Sequence, residues 1–341
     1  MSRQKKSGRI KLGLAVLLVA ASLVLAWYWQ RYLAFTNRGL ALSDQERVLL
    51  VEKGDGFDKV MAKIRALGVS QGSELDWQML ALTMHAASHL QVGEYAVTPG
   101  LSPRKLIRHL REGTVIQHPF TIVEGWNIRD LRSALSRDTH LQHKIDALND
   151  AEVMDKLDRG SVFVEGRFLP ETYLYTRGHS DLDILKRAAE AMDKALAEAW
   201  QQRDRDLPLK SPDELLTLAS IVEKETARAD ERPQIAGVFA RRLKIGMRLE
   251  TDPTVIYGLG SAYNGNIHKV DLQTDTPYNT YTRYGLPPTP IAMPGRSALL
   301  AAAHPAKGDA LYFVAVGGGA HHFSATYAEH QTYVDKYQIH R

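Results

Sequence analysis

The stretch Ser211–Ala227 reads SPDELLTLASIVEKETA, and the rest of the chain has to be built around it. Ser211 is an N-cap residue type, Pro212 suits the first helical position, and Asp213 and Glu214 oppose the dipole of the first turn. The pattern predicts a helix from about Pro212 to Arg228. At helical spacing Leu215, Leu218, Ile221 and Val222 share one face, and Glu225 falls within that apolar stripe. Glu223 projects from nearly the opposite side, with Ala219, Ser220 and Ala227. A carboxyl held against an apolar wall loses hydration in its charged form, so its pKa rises toward the range where a general acid works at neutral pH. A buried ion pair, with Arg241 or Arg242 as the partner of Glu225, fits the same spacing, and spacing alone does not separate the two readings.

With 341 residues and 44% hydrophobic content the chain can bury a sizeable core, and its length suits two domains. Much of the net charge of +4 comes from Arg3, Lys5, Lys6, Arg9 and Lys11, so the remainder is close to balance, which argues against a nucleic-acid partner. From Leu12 to Trp29 no charge interrupts a run rich in Leu, Val and Ala, long enough to cross a bilayer. Trp27, Tyr28 and Trp29 end it as an interfacial belt without a small-x-small cleavage pattern, so an uncleaved anchor fits better than a signal peptide. The basic cluster ahead of the span leaves the amino terminus cytoplasmic and everything after Arg31 outside. The absence of cysteine excludes a disulfide framework and thiolate chemistry.

Beyond the anchor, Arg47–Val51 reads as a strand, and Gly54-Asp55-Gly56 leads into a helix carrying Phe57, Val60, Ile64 and Leu67. A second apolar segment runs from Trp77 to Leu90, Gly93–Val97 reads as a strand, and Ser102-Pro103 opens a helix that stops at Gly113. Strand, glycine turn and helix recur at Thr121–Leu135, with Asn127 as N-cap; the weak echo suggests two small related α/β units, of a kind that binds extended ligands or acts as a spacer. Phe163–Tyr175 (FVEGRFLPETYLY) reads as a structured loop whose aromatics beside carboxylates suit either sugar binding or core packing. Asp181–Gln202 is an amphipathic scaffold helix, and Gln234–Lys244 is another, carrying Arg241 and Arg242. From Gly246 to Pro294 the chain is dense in Gly, Pro, Asn, Thr and Tyr, the texture of a long binding loop or a β-rich wall. A helix at Ser297–His304, a strand at Leu311–Val316 and a glycine-rich turn before His321 and His322 close the reading. His304, His321, His322 and His330 lack the companion carboxylates and fixed spacing of a metal site, so no metal is expected and His321 is read as lining a groove. Asp252 is either an acid on the binding wall or a cap for the turn at Pro253.

Taken together, LASIVEKET (218–226), Arg242-Leu243, LETDPTVIYG (249–258), YNTY (278–281), GLPP (285–288), Pro290-Ile291, Pro294-Gly295, AAHP (302–305) and HxFS (321–324) resemble the YceG-like endolytic murein transglycosylases. The resemblance spans nearly the whole chain; Glu171 stands where many members have Asp. It implies an α+β architecture: a cytoplasmic tail (1–11), a single transmembrane helix (12–29), a tether (30–46), a small LysM-like α/β module (47–115) and a mixed helix/β catalytic domain (116–341). It also implies an enzyme on the periplasmic side of the inner membrane that cuts peptidoglycan glycan strands internally between N-acetylmuramic acid and N-acetylglucosamine. The product ends are 1,6-anhydromuramoyl, and the cut terminates nascent-strand elongation. Peptidoglycan synthases stand as candidate partners, and no cofactor is implied.

In the family the second Glu of the E-x-E pair is catalytic, which here is Glu225. The surrounding motifs supply Glu223, Thr251, Asp252, Tyr257, Asn279, Tyr281 and His321 as candidate substrate contacts. One carboxyl can serve, because the substrate brings its own nucleophile: Glu225 protonates the glycosidic oxygen, then takes the proton of the C6 hydroxyl as that oxygen closes on C1. Two rival expectations are a hydrolase using Asp252 or Glu223 as second carboxylate, and a non-catalytic membrane-tethered peptidoglycan scaffold in which Glu225 is only an ion pair.

Overall fold

The computed structural model describes residues 2–42 and 45–339, with side chains from residue 12 to residue 338. The first residue of the expected tail, two residues of the expected tether and the carboxyl terminus lie outside the described residues. The chain divides into two compact units, Met1–His118 and Pro119–Arg341.

The first unit runs α1 (Ser2–Asn37), β1 (Arg47–Val51), α2 (Phe57–Ala66), α3 (Glu74–Thr83), β2 (Gly93–Val97) and α4 (Pro103–Glu112). Within Leu12–Asn37, α1 holds an 18-residue window of mean hydropathy 2.1 and is long and apolar enough to cross a membrane. It does not stop at Trp29. The expected tether begins instead as eight more helical residues, because nothing in QRYLAFTN breaks a helix and its apolar side chains find a partner surface. Phe35 meets the ring of Trp77 edge-on at 5.3 Å, Tyr32 is buried, and Arg31 Nη2 donates to the fully buried Asp76 Oδ2 at 2.5 Å. β1 and β2 pair antiparallel, from Arg47 opposite Val97 to Val51 opposite Gly93, so Leu49, Val51, Tyr95 and Val97 point into one core with Val60, Ile64, Trp77 and Leu106. Gly113 ends α4 at φ 71°, a left-handed turn that favours glycine.

The second unit continues with β3 (His118–Thr121), α5 (Ile128–Arg137), α6 (Asp150–Lys156), β4 (Thr172–Tyr175), α7 (Asp181–Gln202), α8 (Pro212–Glu225) and α9 (Arg232–Lys244). It closes with α10 (Asp252–Leu259), α11 (Lys269–Gln273), α12 (Arg296–Ala303), the hairpin β5 (Tyr312–Gly317) and β6 (Ala320–Ser324), and α13 (Tyr327–Val334). Capping agrees with the sequence at Asn127 and Ser211, which each accept from a backbone N–H of the first turn, and Ser180 caps α7 in the same way.

α8 departs from the amphipathic expectation. It is enclosed by α7, α9 and α12, and its residues from Leu215 to Glu223 are all buried. Six apolar side chains cover most of the wheel, and the small Ala219 and Ser220 let the 290–293 segment approach until the Ile291 N–H donates to Ser220 Oγ at 3.0 Å. A second cluster gathers α5, α6, β4 and the first half of α7 around Phe168, Tyr173, Leu131 and Ile184. Residues 246–294 are not a β-rich wall; among the described residues they form short helices α10 and α11 and a single turn of 3₁₀-helix at Gly260–Ala262. Gly317, Gly318 and Gly319, all at positive φ, make the β5–β6 turn.

Leu218 sits at the centre of α8 and is completely buried. Leu218→Ala is expected to cost about 2–5 kcal/mol in denaturant unfolding, against about 1 kcal/mol for the cap loss in Ser211→Ala. The reverse order would contradict this account of the packing.

Candidate active site

α8 ends sooner than its sequence suggests. Thr226 is extended, at φ −147° and ψ 135°, so Glu225 is the last helical residue. Its carboxyl is pushed up to about 7, chiefly by burial and further by Asp252, against the Thr251 hydroxyl bond and Arg242. The negative end of the helix dipole acts in the same direction as burial. The Thr251 hydroxyl donates to Glu225 Oε1. Glu225 opens on a cleft of about 430 Å³ together with Arg242, Thr251, Asp252, Tyr281 and His321, bounded also by the β5 strand and α13. A carboxyl that keeps its proton near neutral pH, beside a hydroxyl donor in an open cleft, is equipped for general acid–base work.

The ion-pair alternative is met one turn-step away, by the other glutamate. Glu223 is buried, accepts from Arg232 Nη2 at 2.7 Å and from the Gly295 N–H at 2.9 Å, and lines no part of the cleft. Glu124 joins the same guanidinium at 3.3 Å. The expected substrate contact at Glu223 is therefore corrected to a structural knot, and the partner is Arg232 rather than Arg241 or Arg242. Arg241 donates to the carbonyls of Ala306 and Ala310, and Arg242 to those of Leu311 and Leu249.

The other expected contacts divide. Thr251, Asp252, Tyr281 and His321 share the cleft with Glu225. Tyr281 donates its hydroxyl to Asp252 Oδ1 at 2.6 Å, so Asp252 serves this cross-loop bond at the start of α10. Asn279 does not join them. Its amide nitrogen donates to the carbonyls of Asp271, Leu272 and Thr274, and its oxygen accepts from the Tyr281 N–H, which makes it a buried loop staple. Tyr257 also lies elsewhere: its hydroxyl donates to Glu165 Oε2 at 3.0 Å, beside a different cavity lined by Phe163, Val164 and Tyr278.

Sequence reasoning did not single out Glu165 or Glu231 for the site, and it considered Arg242 only as an ion-pair partner of Glu225 and as part of a family motif. Glu165 is buried, accepts the Ile128 N–H at 3.2 Å, and is pushed up to about 7 mainly by burial. It ties α5 and α10 together without facing the cleft of Glu225. Glu231 accepts from both the backbone N–H and the Nδ1 of His321, at 3.1 and 2.7 Å. Only an E-x-E pair followed by a further Glu hinted at it. His143, Asp146 and Asp181 converge closely enough to hold a metal, but Asp181 already accepts the N–H groups of Lys144, Ile145 and Leu182, the role of a cap.

The sequence profile of the YceG-like family matches residues 49–336. A Bacillus subtilis (strain 168) protein named endolytic murein transglycosylase is 33% identical over 268 residues, covering 74% of this chain and 74% of that protein. A protein of the same name from Streptococcus pneumoniae (serotype 2, strain D39) is 29% identical over 259 residues, covering 66% of this chain and 46% of its own length. The crystal structure of the yceG-like protein lmo1499 from Listeria monocytogenes matches with a TM-score of 0.53 at 27% identity, over 85% of this chain and 99% of that one.

Two measurements separate the carboxyls. Removing the partner in Arg232→Met strands a buried carboxylate at Glu223 and should cost about 3–5 kcal/mol, whereas Glu225→Gln, in an open cleft, should shift stability by no more than about 1 kcal/mol. Glu165 has a folded pKa of about 7 against an ordinary 4.5, so the native state holds the extra proton between those values. Its contribution is complete below about 4.5 and is lost as pH rises through about 7. The melting temperature should thus fall between pH 5 and 8 less steeply in Glu165→Gln than in the wild type, and equal slopes would refute the assignment.

Proposed function

The chain belongs to the YceG-like family, and from that premise we propose that it is an endolytic peptidoglycan lytic transglycosylase whose general acid is Glu225. What carries the reading is the raised pKa of Glu225 in an open cleft, with the Thr251 hydroxyl on one carboxyl oxygen. Glu225 gives its proton to the glycosidic oxygen between N-acetylmuramic acid and N-acetylglucosamine. The C6 hydroxyl of the muramoyl unit closes on C1 and loses its proton, and the strand ends in a 1,6-anhydro sugar. Once ionised, Glu225 is a base already in place, so this scheme needs no second carboxylate. Arg242 faces the same cleft as a cation whose Nε and Nη1 groups donate to backbone carbonyls and which also stands 3.8 Å from Glu250.

The reading extends to the rest of the molecule. α1 anchors the chain once in the inner membrane, its basic start cytoplasmic and both folded units periplasmic. The β-α-α-β order of residues 47–97 supports a LysM-like role for residues 47–115 in holding glycan, ahead of a catalytic domain at 116–341. Cutting close to the membrane would terminate growing strands where synthases extend them.

Hydrolysis is the second reading, favoured by one observation: Asp252 shares the cleft. Glu223, bound to Arg232, is not free to act as its second carboxylate. Mass spectrometry of digested sacculi decides, since hydrolysis adds a water that ring closure does not. Glu225→Gln should lower cleavage by about 10²–10⁴-fold with the fold retained; full activity would remove Glu225 from the chemistry. A reporter fused after Arg341 should be active only outside the cytoplasmic membrane. Deleting residues 47–113 while keeping the anchor should weaken sacculus binding more than cleavage of a short soluble glycan, and equal losses would make that module structural.

A further inference from the structure

The cleft of Glu225 holds a second proton-handling group. Glu231, at the N-terminal edge of α9, is buried and uses both carboxyl oxygens on one residue: Oε1 accepts the His321 N–H at 3.1 Å and Oε2 faces His321 Nδ1 at 2.7 Å. Arg228 Nε stands 3.4 Å from Glu231 Oε1 and stabilises the carboxylate from its other side. Phe313 meets the imidazole edge-on at 5.5 Å, with an interplanar angle of 86°, and fixes its plane. A carboxylate on Nδ1 holds the hydrogen there, which leaves the lone pair of the neutral ring on Nε2. Among the described residues Nε2 has no hydrogen-bond partner, and His321 lines the cleft that Glu225 opens on.

Nothing in the packing of the β5–β6 hairpin calls for this arrangement. His321 stands opposite Ala315 in the β5–β6 register, where any side chain of the right size would pair. Its neighbour His322, whose ring stacks on Tyr333 at 3.4 Å, faces a different set of groups. Carboxylate, imidazole and open cleft in that order are the parts of an oriented base, in which the buried carboxylate sets the tautomer and steadies the imidazolium that forms.

We propose that His321, oriented by Glu231, is the base that takes the proton of the attacking C6 hydroxyl, so that acid and base duties are divided between Glu225 and His321. The proposal rests on the transglycosylase reading and replaces its return of that proton to Glu225. The bond from C1 to the N-acetylglucosamine oxygen breaks as that oxygen receives the Glu225 proton. The bond from O6 to C1 forms as the O6 proton passes to Nε2. No water is consumed and nothing is oxidised or reduced. The cycle ends with a Glu225 carboxylate and a His321 imidazolium paired with Glu231, and transfer of the imidazolium proton to Glu225, directly or through solvent, resets both. With two groups the enzyme need not wait for Glu225 to lose one proton before it can accept another.

The test uses the full chain in detergent and a soluble glycan strand. His321→Asn keeps an N–H near the place of Nδ1 for Glu231 and deletes the cleft-facing nitrogen. It should lower kcat by about 10²-fold or more with KM nearly unchanged. Glu231→Gln leaves the imidazole in place without its charged partner and should lower kcat by about 10–100-fold, again with little change in KM. Wild-type kcat in both variants, or losses confined to KM, would overturn the proposal. If His321→Asn melts too low to assay, Glu231→Gln decides by the same split between kcat and KM. Anhydro-ended products from the wild type verify the underlying reading separately; if they are absent, that reading fails whatever the variants do.

Discussion

The structure turns on the desolvation of one carboxyl group at the end of a helix whose central residues, Leu215 to Glu223, are all buried. α8 is packed by α7, α9 and α12 along its length, and Glu225 is the point at which the helix emerges into a cleft. The apolar packing that stabilises the unit thereby also sets the acidity of its terminal residue. Fixing the site in this way places the group on a rigid element, where its position is held by the core rather than by a loop. The early end at Thr226 matters for the same reason: a further helical turn would have given the last carbonyls of α8 intrahelical partners and carried the chain past the cleft.

Two glutamates two residues apart show how environment assigns roles to identical side chains. Glu223 and Glu225 both leave water, yet Glu223 meets a guanidinium and a backbone N–H, while Glu225 meets one neutral hydroxyl. Burial raises the pKa of the first as well, against the Gly295 N–H and the Arg232 charge, and its worth lies in joining α8, α9 and the start of α12 through Arg232 and Gly295. The second keeps its own proton. Glu165 has as high a pKa as Glu225 but lines a different cavity, where its oxygens take the Ile128 and Gly166 N–H groups and the Tyr257 hydroxyl, so a raised pKa marks a catalytic candidate only together with the groups that share its cleft.

Much of this was legible in the residues. The cap at Ser211, the strand at Gly93–Val97 and the stop at Gly113 depend on local chemistry and agree with the structure. So does the inward setting of Glu225. Four things were not legible, each for a physical reason. Glu223 falls on the side opposite the apolar stripe because a wheel assumes one exposed side, whereas α8 is buried all round from Leu215 to Glu223. Asn279 and Tyr257 stand in motifs that suggest contact with substrate, but a polar motif in an irregular segment can equally hold that segment's own backbone, as the bonds of Asn279 to Asp271, Leu272 and Thr274 do. Glu231 and His321 are 90 residues apart, and no periodicity reports a contact that only the hairpin creates. The continuation of α1 through Asn37 depends likewise on α3, which supplies Trp77 and Asp76 as its partners.

The neighbours of Glu225 explain why its acidity lies where it is useful. A cation bonded to a carboxyl pulls its pKa down and burial pushes it up; at Glu223, bonded to Arg232, burial still prevails. Thr251 offers a bond that steadies the carboxyl oxygen without supplying a charge. Arg242 is in the same cleft, but its N–H groups are directed to the carbonyls of Leu311 and Leu249, so its charge acts from a distance. Asp252 pushes the other way and is itself tied to Tyr281. Each of these groups is fixed by a bond to something other than Glu225. The electrostatic balance is therefore set by the fold before any substrate arrives, the condition under which a proton can be delivered without first reorganising the site.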